Sequence, residues 1–453
     1  MPTPSISGGG IGGLNVDLDE LRGKSLDVHL PPESDVDLIG GRSVIYNSIS
    51  SVDDSGDIEF HVPPDPECYF VLNQARLEGC FVVKTDHDVK VVRMTKVTLA
   101  GHYCASLFSQ IEIYLNGTQI CDQSSTVSYP FKHHIDTTLS YHLNTVKYAL
   151  RAEGHLPSHY DPCKMEYDDF RGIKATASCD CYKNTRDQIY EGKKVYFCST
   201  IGADIFRADK YLPPNVDIKI KLKRFNRSFG ILQRTDRQLF AFSLQDVKLR
   251  MRKVLPSLTV RNRFNMKLIS QPSFIAYEDT QLRHFHVPKE STSYSVNFIN
   301  TDIGKLPLQV VFTLIDASVL SKERSEVDPY RFEHADLSSV VIKKNGKPLI
   351  PAPLECNFDD GNYIELFDHF CSNVGSKINV TPESFVDGKF FLFFDLTPDK
   401  CHSFHNHLAE PGNLELDLTF RKATPKAFSL IAYCVYNAAL TIDSNGQVYK
   451  GFF

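Results

Sequence analysis

Strict alternation of apolar and polar side chains is the feature of this sequence that most limits its fold. The alternation runs without a break through residues 216–223 and Leu414–Phe420, and it recurs in residues 247–252 and 111–115. A period of two residues places one face of a β-strand on a core and the other in water. The dipeptide Asn116-Gly117 follows the last of these segments and predicts a tight hairpin turn. The sequence therefore predicts an all-β protein.

Helical periodicity is scarce outside three short segments. We expect helices near residues 131–141, 257–264 and 363–370, with Ser257 as the N-terminal cap of the second one. The 25 Gly and 24 Pro residues follow no fixed period, which excludes collagen-like and low-complexity chains. The predicted helices are therefore few and short.

One pattern of strand and turn signals occurs twice along the chain, in the same order. The matched pairs are Phe60-His61-Val62-Pro63 with Phe285-His286-Val287-Pro288, the hairpin ending at Asn116-Gly117 with that ending at Asn345-Gly346, Asn215-Val216 with Asn413-Leu414, and Ala241-Phe242-Ser243-Leu244 with Ala427-Phe428-Ser429-Leu430. Each copy is long enough for eight strands in two facing sheets, as in a jelly roll. The duplication predicts two tandem eight-stranded jelly-roll β-sandwiches, which together form a double jelly roll.

The repeat divides the chain into four predicted regions. Residues 1–50 form a flexible N-terminal arm, 51–255 the first jelly roll, 256–445 the second jelly roll and 446–453 a C-terminal tail. The number of residues that separates matched positions of the two copies falls after the hairpin, so the first copy carries extra residues beyond that point. We place them in a long loop at 143–199, and loops of that length are usually functional.

Charge and composition exclude several classes of protein. The 50 Lys and Arg residues against 55 Asp and Glu residues give a net charge of −5, which argues against a chain whose main work is neutralising nucleic-acid phosphates. The first residues lack a secretory pattern, and residues 427–442 are too few and too polar to cross a bilayer. We therefore expect no transmembrane segment, and we expect the 12 Cys residues to be reduced thiols.

Two groups of Cys and His carry the side chains that zinc prefers. The groups are Cys401, His402, His405 and His407, and Cys163, Cys179, Cys181 and Cys198. The first crowds four ligands into one short stretch, and no second ligand pair stands at zinc-finger spacing. Exposed histidines and unlinked thiols are the preferred interpretation. With no nucleophile elbow and no metalloprotease motif, we expect no catalytic, cofactor-binding or metal site, and no enzyme.

Basic side chains share one face of each of two predicted strands. They are Lys219, Lys221 and Lys223, and Lys248, Arg250 and Arg252. Such faces either contact DNA or an acidic neighbour, or they are the solvated side of an antiparallel sheet. We favour the solvated side, because antiparallel sheets commonly face water on one side.

Further segments are informative through their order and spacing. They are Ile58-Glu59-Phe60-His61-Val62-Pro63, residues 106–111 with Leu115-Asn116-Gly117, Tyr129-Pro130-Phe131, Asp209-Lys210-Tyr211-Leu212 with residues 216–220, residues 247–254, Phe394-Asp395-Leu396-Thr397-Pro398-Asp399 and Leu414–Phe420. Through these segments, which span roughly residues 45–445, the chain resembles the double jelly-roll major capsid protein of Polinton (Maverick) elements and adintoviruses, an adenovirus-like lineage. The Cys-rich loop and the Gly-rich start depart from the pattern.

The resemblance implies a structural, non-enzymatic capsid protein. It implies hexon-like, pseudo-hexameric homotrimers that tile an icosahedral shell around double-stranded DNA. The implied partners are neighbouring capsomers, single jelly-roll penton proteins, minor capsid proteins and, non-specifically, the packaged DNA. The implied location is the virion, assembled in the nucleus or cytoplasm of a host cell. The resemblance also points to a maturation protease, and Ile6-Ser7-Gly8-Gly9 and Leu38-Ile39-Gly40-Gly41 fit the cleavage pattern of such proteases.

A second function from another class stays open at this point. Two β-sandwiches with long loops also suit a cellular or transposon-derived binding protein with a loop-borne ligand site. A monomer that binds a small ligand would indicate that function, whereas trimers or large regular particles would indicate a shell.

Overall fold

The computed structural model of the chain describes residues 37–52, 56–85, 90, 97–121, 127–142, 145, 149–155, 189–225, 228–233, 239–298, 304–321, 327–374, 379–400, 407–408 and 410–452. Antiparallel β-structure dominates these residues, and the predicted all-β class is confirmed.

The first half of the chain forms one β-sandwich. Its strands are β1 (Leu38–Asn47), β2 (Ile58–Val62), β3 (Tyr69–Thr85), β4 (Val97–Leu99), β5 (Phe108–Leu115), β6 (Thr118–Cys121), β7 (Val195–Ser199), β8 (Ile218–Arg224), β9 (Ile231–Gln233) and β10 (Phe240–Pro256). One sheet has the order β1-β10-β3-β7 and the facing sheet β2-β8-β5-β6, while β4 pairs with β9. Two four-stranded sheets connected in this order form a jelly roll.

The second half repeats the same topology. Its strands are β11 (Ser273–Val287), β12 (Ser293–Asn297), β13 (Gln309–Asp316), β14 (Leu337–Lys344), β15 (Lys347–Pro348), β16 (Leu354–Glu355), β17 (Leu392–Asp395), β18 (Leu414–Phe420), β19 (Phe428–Ile442) and β20 (Val448–Phe452). The sheets have the orders β11-β19-β13-β17 and β12-β18-β14-β15, with β20 added beside β19 and β16 beside β14. The predicted double jelly roll is confirmed.

Short helices lie between the strands. They are α1 (Tyr103–Ser106), α2 (Tyr129–Ser140), α3 (Leu258–Ser270), α4 (Ser318–Ser321), α5 (Ile364–Val374) and α6 (Pro382–Val386), with 3₁₀ turns at Ala149–Glu153, Tyr190–Gly192 and Asp204–Arg207. The three predicted helices correspond to α2, α3 and α5. Ser257 caps α3 as expected, because its hydroxyl accepts a hydrogen bond from the Val260 amide at 3.4 Å. We missed α6, which Thr381 begins with a capping box.

The two predicted hairpin turns are equivalent in detail. Asn116-Gly117 and Asn345-Gly346 have positive φ at both residues, as a type I′ turn requires. Asn116 Oδ1 accepts a hydrogen bond from the Asp217 amide at 2.7 Å, at the start of β8. Asn345 Oδ1 accepts the matching bond from the Asn413 amide at 2.8 Å, before β18. Each turn therefore anchors the neighbouring strand of its own roll in the same way.

One of the four repeat matches is wrong. Residues 60–62 lie in β2, whereas residues 285–287 lie in β11, and the strand orders make β11 the counterpart of β1. The counterpart of β2 is β12. The other three matches join equivalent strands, namely β5 with β14, β8 with β18 and β10 with β19. Short alternating strands resemble one another whatever their place in the sheet, so a four-residue identity does not establish equivalence.

Three described strands fall where we predicted arm, loop or tail. Strand β1 lies within the predicted arm, β7 within the predicted long loop, and β20 within the predicted tail. All three are edge strands of their sheets. An edge strand is held by hydrogen bonds to its partner's backbone and needs few apolar side chains of its own. The side chains of β1 are mostly exposed, so its sequence lacks the apolar alternation that predicts a strand.

The two hydrophobic cores interlock. The core of the first roll includes Ile275, Leu440 and Ile442 from the second half of the chain. The core of the second roll includes Phe131 and Ile135 from α2. Strand β19 is consequently buried on both faces over almost its whole length. Side chains on both faces of β19 lose their contact with water, so the two rolls are joined as one body.

Candidate functional site at the junction of the two rolls

Helix α2 carries a buried ion network at the junction between the rolls. The Lys132 ammonium donates to Asp136 Oδ2 at 2.8 Å and to Asp204 Oδ1 at 2.7 Å. Burial lowers the pKa of Lys132, while the Asp204 carboxylate opposes that shift. Two carboxylates around one ammonium group compensate the cost of removing it from water.

The same two carboxylates bind the second roll. Asp204 Oδ2 accepts a hydrogen bond from the Thr280 amide of β11 at 2.8 Å. Asp136 accepts from the Tyr433 hydroxyl of β19 and from the Arg207 guanidinium. Groups in a buried network tolerate little change in distance or angle, so these bonds set how the rolls sit against each other.

Further polar contacts cross the junction around this network. The Ser106 and Tyr330 hydroxyls lie 2.6 Å apart, and both bond to the His102 carbonyl. Lys450 of β20 donates to the Ile120 carbonyl at 2.9 Å, and Asn116 donates through its amide to the Gly446 carbonyl at 2.6 Å. The junction is therefore tied at several separated points.

Four histidines and one glutamate meet in the interior beside this junction. They are His102, His133, His134, His155 and Glu153, all buried. Two groups bring their ligand atoms within 4.8 Å of one another: His102, His134 and His155, and His102, His133 and Glu153. Burial lowers the pKa of His102 to about 3 and raises that of Glu153. Sequence reasoning missed this cluster, because its members come from three segments, and only the adjacent pair His133-His134 in a predicted helix gave a signal.

The structure does not bring the predicted Cys and His groups together within the described residues. Of the first group only His407 is described, and it lies 2.8 Å from Asp399 Oδ1. Of the second group only Cys198 is described, in β7, with its thiol near Glu78 and Arg250. The other six residues lie outside the described part of the chain, so zinc binding there stays untested.

Carboxylates pair with four of the six basic side chains on these strand faces. Lys221 lies 3.2 Å from Asp57, and Lys223 lies 2.5 Å from Glu112. On β10, Lys248 and Arg250 each lie 2.7 Å from a carboxylate, of Asp246 and Glu78 respectively. Paired charges of this kind are typical of a solvated sheet face.

Helix α3 presents an apolar face to solvent. None of its residues is buried, and Leu258, Met266 and Ile269 are 61%, 73% and 80% exposed. At 3.6 residues per turn these three side chains fall within an arc of about 80°. Phe274, at the start of β11, adds a fourth exposed apolar side chain. We call these four residues the α3 patch.

The second predicted cleavage sequence lies in ordered structure. Gly40 and Gly41 are part of β1, and they pair with Leu255 and Val254 of β10. A protease needs an extended, separated chain, so cleavage there requires this end of β1 to leave the sheet. The first sequence, at residues 6–9, lies outside the described residues. No helix among the described residues is long and apolar enough to cross a membrane.

Comparison with solved structures identifies the fold. No protein-family model matches the chain, and no curated protein matches it. A chain of the cryo-EM structure of the Sputnik virophage matches with a TM-score of 0.62 at 12% identity, over 100% of this chain and 95% of that chain. The mavirus major capsid protein matches with a TM-score of 0.54 at 12% identity, over 100% and 97%. The Faustovirus major capsid protein matches with a TM-score of 0.51 at 10% identity, over 94% of each chain. This chain therefore has the double jelly-roll fold found in viral major capsid proteins.

Proposed function

We propose that this chain is the major capsid protein of a virus or virus-like element of the Polinton and adintovirus type. The observation that carries the proposal is how much of each chain the structural match covers. The match to the mavirus major capsid protein takes in 100% of this chain and 97% of the other, so the two chains share one architecture from end to end. A shared fold alone does not imply a shared function. An architecture that the match covers over nearly all of both chains supports a structural role better than a catalytic one.

The proposed assembly is a homotrimer that imitates a hexagon. Two similar rolls in one chain give three chains six similar sandwiches around a threefold axis, and a closed ring forms when the rotation closes. Hexagonal blocks tile an icosahedral shell around double-stranded DNA. The location is the virion, with assembly in the nucleus or cytoplasm of the host cell.

The α3 patch supports contact with a second copy of the chain. A 13-residue helix is marginal in water by itself, and α3 buries none of its own side chains. Leu258, Met266 and Ile269 form a face that a neighbouring copy would cover in a trimer. Permanent assemblies draw on apolar surface of this kind.

The remaining partners follow from the same assembly. Neighbouring capsomers, a single jelly-roll penton protein and minor capsid proteins would contact the edges of the trimer. Contact with packaged DNA would be non-specific and weak, because the net charge is −5 and four of the six basic side chains on the strand faces already pair with carboxylates.

Native mass spectrometry of the full chain tests the proposal. We expect a species of three chain masses that persists on dilution, because trimer interfaces in permanent assemblies are large. A folded chain that stays monomeric and binds a small ligand saturably would support the two-sandwich binding protein instead. A folded monomer or dimer without a ligand would also contradict the capsid proposal.

A further inference from the structure

The histidine cluster draws on three separate segments of the first roll. His102 precedes α1, His133 and His134 lie on α2, and His155 follows the 3₁₀ turn Ala149–Glu153. These four side chains are at most 5% exposed. Four imidazoles in one buried volume are uncommon, because each ring carries two polar nitrogens that must be bonded.

The distances within the cluster suit a metal ion. The ligand nitrogens of His102, His134 and His155 all lie within 4.8 Å of one another. Zinc binds histidine nitrogen at about 2.0–2.1 Å, so two such nitrogens in a tetrahedral site lie about 3.3 Å apart. Small rotations of the three side chains would bring their nitrogens to this separation. The ring centroid of His155 lies 5.4 Å from that of His134 and 4.9 Å from that of His102.

The hydrogen bonds of the cluster favour one of the two ligand groups. Among the described residues, both ring nitrogens of His102 and the Nδ1 of His134 lack a hydrogen-bond partner. In the other group, Thr200 already occupies the ligand atoms: His133 Nε2 lies 3.2 Å from its hydroxyl, and Glu153 accepts from both its amide and its hydroxyl. A buried polar atom without a partner is destabilising, and a metal ion would give one ring nitrogen of His102 and one of His134 a partner.

Charged side chains also lie around the cluster. Glu153 supplies a nearby carboxyl group, 3.8 Å from His133. Cationic side chains oppose the ion on two sides, because Lys389 lies near His134 and both Lys132 and Arg207 lie near His133.

We propose that His102, His134 and His155 bind a divalent transition-metal ion of the zinc class. Imidazole is a good ligand for zinc, and three ligands leave a fourth position for water or for His133. The ion would tie α1, α2 and the turn at His155 together beside the junction. That turn is closely constrained: Gly154 has φ +75°, and a Cβ there would lie 2.6 Å from the Tyr103 ring.

Cobalt substitution of the untagged full chain is the first test. The protein is stripped with a chelator, dialysed and titrated with Co²⁺. We expect visible d–d absorption that saturates at one equivalent, without the near-ultraviolet thiolate-to-cobalt band. Cysteine groups elsewhere in the chain, such as Cys179 and Cys181, would give that thiolate band. A spectrum with the thiolate band alone, or no d–d absorption at one equivalent, would overturn the proposal.

Paired variants make the test specific to the cluster. His134→Gln should weaken Zn²⁺ binding by at least about 100-fold, since loss of even a supporting residue costs 10- to 100-fold. His284→Gln, a half-buried histidine on β11 outside the cluster, and Cys181→Ser should both keep the wild-type affinity. Wild-type affinity in a folded His134→Gln protein would refute the assignment. If circular dichroism shows that this variant does not fold, the cobalt spectrum of the wild type decides.

Discussion

Asp204→Asn is the substitution that most sharply tests the buried network at the junction. The change keeps the size of the side chain but removes its negative charge. Asp204 holds the Lys132 ammonium through Oδ1 at 2.7 Å and the Thr280 amide through Oδ2 at 2.8 Å. The variant leaves Lys132, which is only 2% exposed, with Asp136 as its one carboxylate partner in the network.

The expected cost follows from this burial. Removing one partner of a buried ion pair costs about 3–5 kcal/mol, because the remaining charge stays out of water without full compensation. Unfolding carries an entropy of about 2.1 cal/mol/K per residue, or about 0.95 kcal/mol/K for 453 residues. The melting temperature should therefore fall by about 3–5 °C.

Differential scanning calorimetry of the wild type and two variants measures this effect. The control is Asp246→Asn, which removes a 2.7 Å ion pair with Lys248 in which both side chains are at least 42% exposed. Water screens exposed pairs of this kind, so the control should melt within about 1 °C of the wild type. Equal melting temperatures for the two variants would refute the claim that this network holds the rolls together.

Three further predictions concern other parts of the molecule. Although burial opposes it, hydrogen bonds from Lys253 and two backbone amides lower the pKa of Asp65 to about 2, so its stabilisation is complete above about pH 4 and is lost as pH falls towards 2. Urea unfolding of Asp65→Asn should show a deficit of about 2 kcal/mol at pH 7 that shrinks towards zero below pH 4, and a deficit constant over that range would contradict this account. Asn116→Ala should cost about 1–2 kcal/mol in the same assay, because it removes the bonds to the Asp217 amide and the Gly446 carbonyl and places Ala at a positive φ of 48°. An unchanged stability would contradict the anchoring role of Asn116. Met266→Asp should reduce trimers in native mass spectra at unchanged circular dichroism, whereas Lys267→Asp on the opposite side of α3 should not, and equal trimer fractions would exclude the α3 patch from the interface.

The fold could be predicted from the sequence because its signals are local. Period-two alternation in β8 and β18 and the turns at Asn116-Gly117 and Asn345-Gly346 each encode their own conformation. Repetition of these signals revealed the second roll. Strand β1 escaped prediction because its order comes from pairing with β10, a partner far away in the chain.

The candidate site could not be predicted, because it exists only where distant segments meet. Asp136 and Asp204 look like ordinary surface carboxylates in the sequence, and only the folded chain places both on Lys132. His102 and His155 pair across an isolated β-bridge and follow no motif spacing. The sequence pointed instead to residues 401–407, where the Cys and His ligands are close in sequence.

Negative-stain electron microscopy of the assembled full chain tests the central claim most directly. The account predicts particles with threefold symmetry and six similar lobes, which at high protein concentration join edge to edge into sheets or shells. The six lobes follow from two rolls per chain, which share the same strand order. A well-folded chain seen only as single two-lobed particles at every concentration would contradict the account.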